Sequence, residues 1–295
     1  MKKYFLLMII SIFAAVLAAC GNGGSEEAAT TEDSEESAET SETAENEEAE
    51  EAGGTISIAA SPAPHAEILE EAATILEEEG IELDIAIVND YTTPNRLLAD
   101  EEVDANYFQH TPYLETEKES HGYDITSAGN VHIEPMAVYS QDYESLEDLP
   151  DGSTILVSNN PAEEGRFLSF FVDAGLIEIE EGIEIQNATF DDITENPKNF
   201  EFNNQTAPEL LVSMYENNEA PAVIINSNFA LDGGLNPVED SIVVEDGESP
   251  YANLVAVRTG DEDREDIQRL VEVLQGDEIK QFIEDNYEGA VIPVQ

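Results

Sequence analysis

Residues 55–88 read TISIAASPAPHAEILEEAATILEEEGIELDIAIV, and the order of patterns in them decides the fold class. Residues 55–60 are a short run suited to a strand. It ends at Ser61-Pro62-Ala63-Pro64, where proline supplies no ladder donor. From 65 to 79 the apolar residues Ile68, Leu69, Ala72, Ala73, Ile75 and Leu76 recur at helical spacing. Gly80 is a stop signal. Residues 81–88 alternate apolar and polar side chains and predict a second strand. Strand, helix, strand is the seed of an α/β fold.

The same alternation continues downstream. Residues 94–100, 163–174, 207–216, 264–274 and 278–286 predict helices, and 131–139, 153–157, 221–225 and 253–257 predict strands. Such alternation implies open sheets with packed helices. A long middle stretch between two well-defined outer ones implies two α/β lobes. Residues 54–140 form the first, 141–251 the second, and 252–295 return to the first. Ligands in open sheets bind beyond the carboxyl ends of strands. The turn 61–65 and the segment 159–166 occupy such places.

Upstream of this folded part the chain changes character. Lys2 and Lys3 precede an apolar run over 4–19, the charged and apolar regions of a secretory signal. The run is short for a helix crossing about 30 Å of hydrocarbon. It ends in Leu17-Ala18-Ala19-Cys20 before Gly21, which resembles the lipobox of bacterial lipoproteins. That resemblance implies removal of 1–19, lipidation of Cys20 and anchoring at the extracytoplasmic face of the cell membrane. The alternative is an ordinary signal peptide with an incidental cysteine. Cys20 is the only cysteine in the sequence, so no internal disulfide can form. Residues 20–53 follow as an acidic linker. Thirteen of the 28 residues from 25 to 52 are Asp or Glu, which gives a solvated, self-repelling tether or a frayed Glu/Ala helix.

The 295 residues carry 67 acids against 10 Lys and Arg, a formal net charge of -57. This excludes a nucleic-acid partner, which requires a basic surface, and a polybasic lipid-binding face. Hydrophobic residues still make up 41%, enough for a core. Removing the thirteen linker acids and the two leading lysines leaves 54 acids and 8 bases, a difference of -46. Such a hydrated acidic shell suits a halophilic or alkaliphilic source, because salt screens the repulsion. An acid-rich lineage with no demand for salt has the same composition.

In so acidic a chain, cations are informative. Arg166 follows the apolar strand ending at Val157 and the turn Ser158-Asn159-Asn160-Pro161. There a guanidinium can grip a carboxylate with two parallel hydrogen bonds, or form a structural salt bridge. Asn106-Tyr107-Phe108-Gln109-His110 resembles a pocket wall or, equally, a packed core segment. Asn226-Ser227-Asn228-Phe229 follows a strand and suits either ligand contacts or a turn. No cysteine nucleophile, Gly-x-Ser-x-Gly elbow or P-loop is present, which argues against an enzyme. His65, His110, His121 and His132 lack tight metal-ligand spacing, so neither a metal nor a cofactor is expected.

Several segments together resemble the NlpA family, the methionine-binding lipoproteins of bacterial ABC importers. They are Ala60-Ser61-Pro62-Ala63-Pro64-His65, Asp104-Ala105-Asn106-Tyr107-Phe108-Gln109-His110, His132-Ile133-Glu134-Pro135-Met136, Asp191-Asp192-Ile193-Thr194-Glu195-Asn196-Pro197, Ile225-Asn226-Ser227-Asn228-Phe229-Ala230, Ser249-Pro250-Tyr251-Ala252-Asn253 and Gly289-Ala290-Val291-Ile292-Pro293. The resemblance covers residues 54–295 and the lipobox. It implies a periplasmic-binding-protein fold, type II-like, with a ligand cleft between the lobes. It also implies methionine or a related amino acid as ligand, and an ABC permease with its ATPase as partners. The ligand carboxylate would lie on Arg166. His110 and Asn228 would complete the polar grip, with Asn253 also in the site, and Tyr91, Tyr107 and Phe108 are candidates for the apolar wall. Neighbours on a strand point oppositely, so only one of Tyr107 and Phe108 is expected to face the ligand. The chain departs from the family pattern at Glu163, where relatives commonly carry asparagine. A carboxylate there favours the ligand's ammonium and repels its carboxylate, unless it points to solvent. The competing function class is a non-transport surface adhesin or scaffold built on the same fold.

Overall fold

The computed structural model describes residues 54–247 and 250–294. The expected signal segment 1–19, Cys20, the linker 20–53 and Ser249 lie outside them. Strand β1 (Thr55–Ala60) buries Ile56 and Ile58 completely. A turn over Pro62–Ala66 leads into helix α1 (Glu67–Glu78), whose periodic face buries Ile68, Leu69, Ala72 and Leu76. Gly80 takes a left-handed φ of 84°, accessible to glycine without a Cβ clash, and turns the chain into β2 (Glu82–Ile87). β2 pairs parallel to β1, completing the unit that the opening spacing predicts.

Helix α2 (Thr93–Ala99) precedes β3 (Ala105–His110), which lies parallel to β1 on its other side. Helix α3 (Thr111–His121) has no counterpart in the sequence analysis. It buries only Tyr113 and Leu114, too few to show a period. The single strand expected over 131–139 is two: β4 (Ile125–Ile133) and β5 (Ala137–Tyr139), in different sheets. Glu134-Pro135-Met136 separates them, with a proline that cannot donate to a ladder. The change of lobe expected after 140 therefore falls before Ala137.

The second lobe holds β6 (Thr154–Ser158), α4 (Glu164–Asp173), the short strands β7 (Glu178–Ile179) and β8 (Ile193–Glu195), and β9 (Glu201–Thr206). It continues with α5 (Leu211–Glu216), β10 (Ala222–Ile225), α6 (Ser227–Asp232) and β11 (Val243–Val244). The chain then returns through β12 (Ala252–Arg258), α7 (Glu265–Leu274), α8 (Asp277–Tyr287) and β13 (Ile292–Pro293). The first sheet has the order β13-β4-β12-β3-β1-β2, and the second β11-β5-β10-β6-β9. Each supports its own core. Ile58, Leu69, Tyr107, Val255 and Leu270 belong to the first, and Val157, Phe167, Phe171 and Ile224 to the second. Among the described residues, no helix is long and apolar enough to cross a membrane.

Gly165 in α4 marks a close approach. A Cβ there would stand 2.1 Å from the Ile185 carbonyl oxygen of the turn Ile185–Asn187. Gly165→Ala is expected to lower unfolding stability by about 1–3 kcal/mol in urea titration, the usual cost of overpacking. An unchanged midpoint would mean that the turn yields freely.

Candidate functional site

The cleft is built from strand ends. Tyr91 follows β2, Phe108, Gln109 and His110 close β3, and Tyr113 lies in the first turn of α3. Facing them are Asn160 and Arg166 after β6, and Asn226, Ser227 and Asn228 after β10. Glu134, between the sheets, and Asn253, in β12, complete the lining of the cavity.

Arg166 sits in the first turn of α4 and is 5% exposed. Its Nε donates to both Glu245 carboxylate oxygens at 3.2 and 3.1 Å, and its Nη2 donates to one of them at 2.5 Å. Nη2 also donates to the Glu134 carbonyl oxygen at 2.8 Å. The guanidinium carbon lies 4.3 Å from the centre of the Tyr251 ring, a cation–π contact. Burial opposes the charge, but Glu245 with Glu163 and Tyr251 together outweigh burial and keep the guanidinium above its ordinary range. Nη1 has no hydrogen bond among the described residues and lies 3.6 Å from Glu163 Oε1.

Glu163 is fully buried and does not face solvent. It accepts from His110 Nε2 at 3.2 Å, Asn226 Nδ2 at 2.7 Å and Ser158 Oγ at 3.4 Å. Burial works to raise its carboxyl, but these donors and the Arg166 charge outweigh it and hold the group below the ordinary carboxylate range. His110 Nδ1 accepts the Tyr113 backbone N–H and caps α3, so Nε2 carries the proton given to Glu163. Two bonds thus join the first-sheet side of the cleft to the second: His110 to Glu163, and Tyr91 Oη to Asn228 Oδ1 at 2.6 Å. Asn226 Oδ1 is buried without a partner among the described residues.

Beneath Glu134 lies a chain of buried groups. His132 Nε2 lies 2.8 Å and His65 Nε2 3.2 Å from Glu134 Oε1. His132 Nδ1 accepts the Tyr107 hydroxyl, and His65 Nε2 reaches Asn253 Oδ1 at 3.0 Å. Neutral imidazoles protonated at Nε2 satisfy this whole arrangement, so both rings donate toward Glu134. Burial lowers the His65 pKa to about 4 and that of His132 to about 3, and it raises the Glu134 carboxyl. The ligand atoms of His65, His132 and Glu134 lie within 4.8 Å of one another, close enough for a metal ion. The sequence spacing of the histidines gives no hint of this. The hydrogen bonds already account for the Nε2 atoms, and the unpartnered His65 Nδ1 is the opposite nitrogen.

Similarity to known proteins agrees with this architecture. The profile of the family described as NlpA lipoprotein matches residues 56–295. The methionine-binding lipoprotein MetQ of Bacillus subtilis strain 168 is 47% identical over 296 residues, covering 100% of this chain and 99% of that protein. The chain belongs to the NlpA lipoprotein family. A nutrient-binding protein from Burkholderia cenocepacia, whose structure was solved bound to methionine, superposes with a TM-score of 0.76. It is 36% identical and covers 81% of this chain and 100% of its own. A lipoprotein from Enterococcus faecalis, described as a pheromone cOB1 precursor, gives a TM-score of 0.80 at 45% identity, over 82% of this chain and 100% of its own. NlpA proteins are bacterial substrate-binding lipoproteins of ABC transporters, binders rather than catalysts. Membership carries membrane anchoring at the extracytoplasmic face and a cognate ABC permease and ATPase.

Of the site residues expected for an NlpA protein, Tyr91, Phe108, His110, Arg166, Asn228 and Asn253 all line the cavity. Two do not. Tyr107 is fully buried in the first core and does not face the cleft, because alternation along β3 turns it away from Phe108. Glu163 lies behind His110 and Asn226, neither in the lining nor in solvent. Glu134, Tyr113 and Asn226 line the cleft but are absent from the expected set. Glu134 had a signal, its place in the quoted family segment 132–136, yet one carboxylate among 67 acids does not stand out.

The histidines give a pH prediction. As pH falls through 6.5 the unfolded chain protonates both, while the folded chain resists until about 4 and 3. Their contribution to folding is therefore complete above pH 6.5 and is lost progressively as pH falls from there toward 3. Replacing His65 and His132 jointly by Gln is expected to flatten this part of the stability–pH curve, measured by urea unfolding at stepped pH. A slope unchanged from the native protein would contradict the assignment.

Proposed function

We propose that this protein captures methionine, or a closely related amino acid, outside the membrane and delivers it to its ABC permease. The observation that carries the reading is the composition of one buried cavity. It offers a guanidinium nitrogen without a hydrogen-bond partner among the described residues, acceptors for an ammonium, and an aromatic wall. An α-amino acid presents the complementary carboxylate, ammonium and side chain. Its carboxylate meets Arg166 Nη1, and its ammonium meets Glu134 and Asn226 Oδ1. Its thioether packs on Tyr91, Phe108 and Tyr113, whose rings cluster at centroid distances of 5.8–6.0 Å. Sulfur beside aromatic rings is a favourable contact.

The relatives support this ligand: the Bacillus subtilis protein is a methionine-binding lipoprotein, and the Burkholderia cenocepacia protein holds methionine. His110 acts by fixing Glu163 and capping α3, and Asn228 by accepting from Tyr91. Ligand binding across both sides of the cleft favours the closed arrangement of the lobes, which the permease then recognises.

Titration calorimetry with L-methionine tests the reading, and the absence of heat with any amino acid in low and molar salt would sink it. Arg166→Ala is expected to weaken binding at least about 10-fold, since a charge-assisted bond contributes about 1.5–3 kcal/mol. In the same assay Phe108→Ala is expected to lose affinity while Tyr107→Phe keeps it. The reverse ranking would place the wrong face of β3 in the cleft.

A further inference from the structure

The cleft carries more negative charge than a zwitterionic amino acid can balance. Arg166 pairs with the partly buried Glu245, which stands outside the cavity lining, and lies 3.6 Å from the buried Glu163, while the buried Glu134 lines the cavity itself. Arg166 is the only Lys or Arg lining the cavity among the described residues. Its Nε and Nη2 are committed to Glu245 and to the Glu134 carbonyl. His110 adds no further positive charge in the arrangement where Nδ1 accepts and Nε2 donates. With Arg166 matched to Glu245, a bound zwitterion leaves the charge of the buried Glu163 unbalanced, and burial favours the uncharged form of Glu134. Buried charge without a partner is costly.

The position of the excess is informative. Glu163 accepts from His110, and the His110 ring lies 6.4 Å from Tyr113 at an angle of 83°. Burial raises both phenols; the charges of Glu163 and Glu134 add to this at Tyr91, and those of Glu117 and then Glu163 at Tyr113. The wall assigned to the ligand side chain is aromatic, and Glu163 is coupled to it through His110, whose ring meets Tyr113 edge-on. Faces of aromatic rings attract onium cations, and a nearby carboxylate deepens that attraction in a low-dielectric site. A neutral thioether gains nothing from Glu163, whereas a positively charged side chain gains from both the rings and Glu163.

We infer that the cleft prefers an amino acid of the methionine class whose side chain carries a positive charge, a sulfonium rather than a thioether. The inference rests on the amino-acid reading above and specifies the ligand further. The α-carboxylate and ammonium keep the partners already named. The sulfonium occupies the Tyr91, Phe108 and Tyr113 wall and offsets the Glu163 charge. Glu163 is then a specificity-determining residue that acts through charge and through the positions of His110 and Asn226, without touching the ligand.

Calorimetry on the intact lipoprotein in detergent micelles, with L-methionine and S-methyl-L-methionine as probes, tests this. The sulfonium compound is expected to bind at least about 10-fold more tightly than methionine. Glu163→Gln, which keeps the shape and removes the charge, is expected to bring the ratio near one or invert it. Tyr113→Leu is expected to weaken the sulfonium compound more than methionine, an independent readout should the Glu163 variant fail to fold. Methionine binding as tightly as the sulfonium compound in the native protein would overturn this inference and leave the amino-acid reading intact. Heat from neither compound would overturn both.

Discussion

The Arg166 guanidinium joins parts of the molecule that are distant in sequence. One nitrogen donates to the Glu134 backbone carbonyl, in the first segment that crosses between the sheets. The same nitrogen, Nη2, and Nε grip Glu245, which lies in the second crossing, and the Glu245 carboxylate also accepts the Met136 backbone N–H of the first. Both connections between the lobes therefore meet at one buried cation. The remaining nitrogen lies toward Glu163 and the cavity. Desolvating a guanidinium is expensive unless its donors are filled with good geometry, and here three carboxylate and carbonyl partners fill most of them. A ligand that engages the last nitrogen acts on the same group that ties the crossings together. This gives a direct physical route from occupancy to lobe geometry.

A second set of buried polar groups supports the other side of the cavity. Tyr107, His132, His65 and Asn253 converge on Glu134 from four separate elements of the first lobe. Each ring nitrogen except His65 Nδ1 has a defined partner, so the Glu134 carboxylate is held in place from behind by neutral donors. Orientation by neutral groups leaves the negative charge available in the cleft. Glu163 is held in the same manner by His110, Asn226 and Ser158. The site thus combines fixed carboxylates with a single, shared cation.

Local patterns made much of the fold legible. The β1–α1–β2 unit, α4, α7 and α8 follow from hydrophobic period and stop signals, because each buries one continuous face. β9, with its polar sequence Glu-Phe-Asn-Asn-Gln-Thr, is an edge strand half in solvent and shows no apolar run. α3 escaped for the same reason. The run over 131–139 looked like one strand because both pieces are apolar. Only the pairing of each piece reveals the passage between sheets at Pro135.

The sequence by itself determined the family, the α/β alternation, and the scarcity of cations that singles out Arg166. These properties reside in composition, period and motif, which are local along the chain. Tertiary structure decided which groups face one another. It turned Phe108 into the cleft and Tyr107 into the core, since one residue of register exchanges the two faces of a strand. It brought His65 and His132 together on Glu134, although 67 positions separate the histidines along the chain. It also buried Glu163 between His110 and Arg166 and gave Arg166 a carboxylate partner 79 residues away. Charge balance in a cleft depends on distances through space and on exclusion of water, and neither quantity is written in the order of residues.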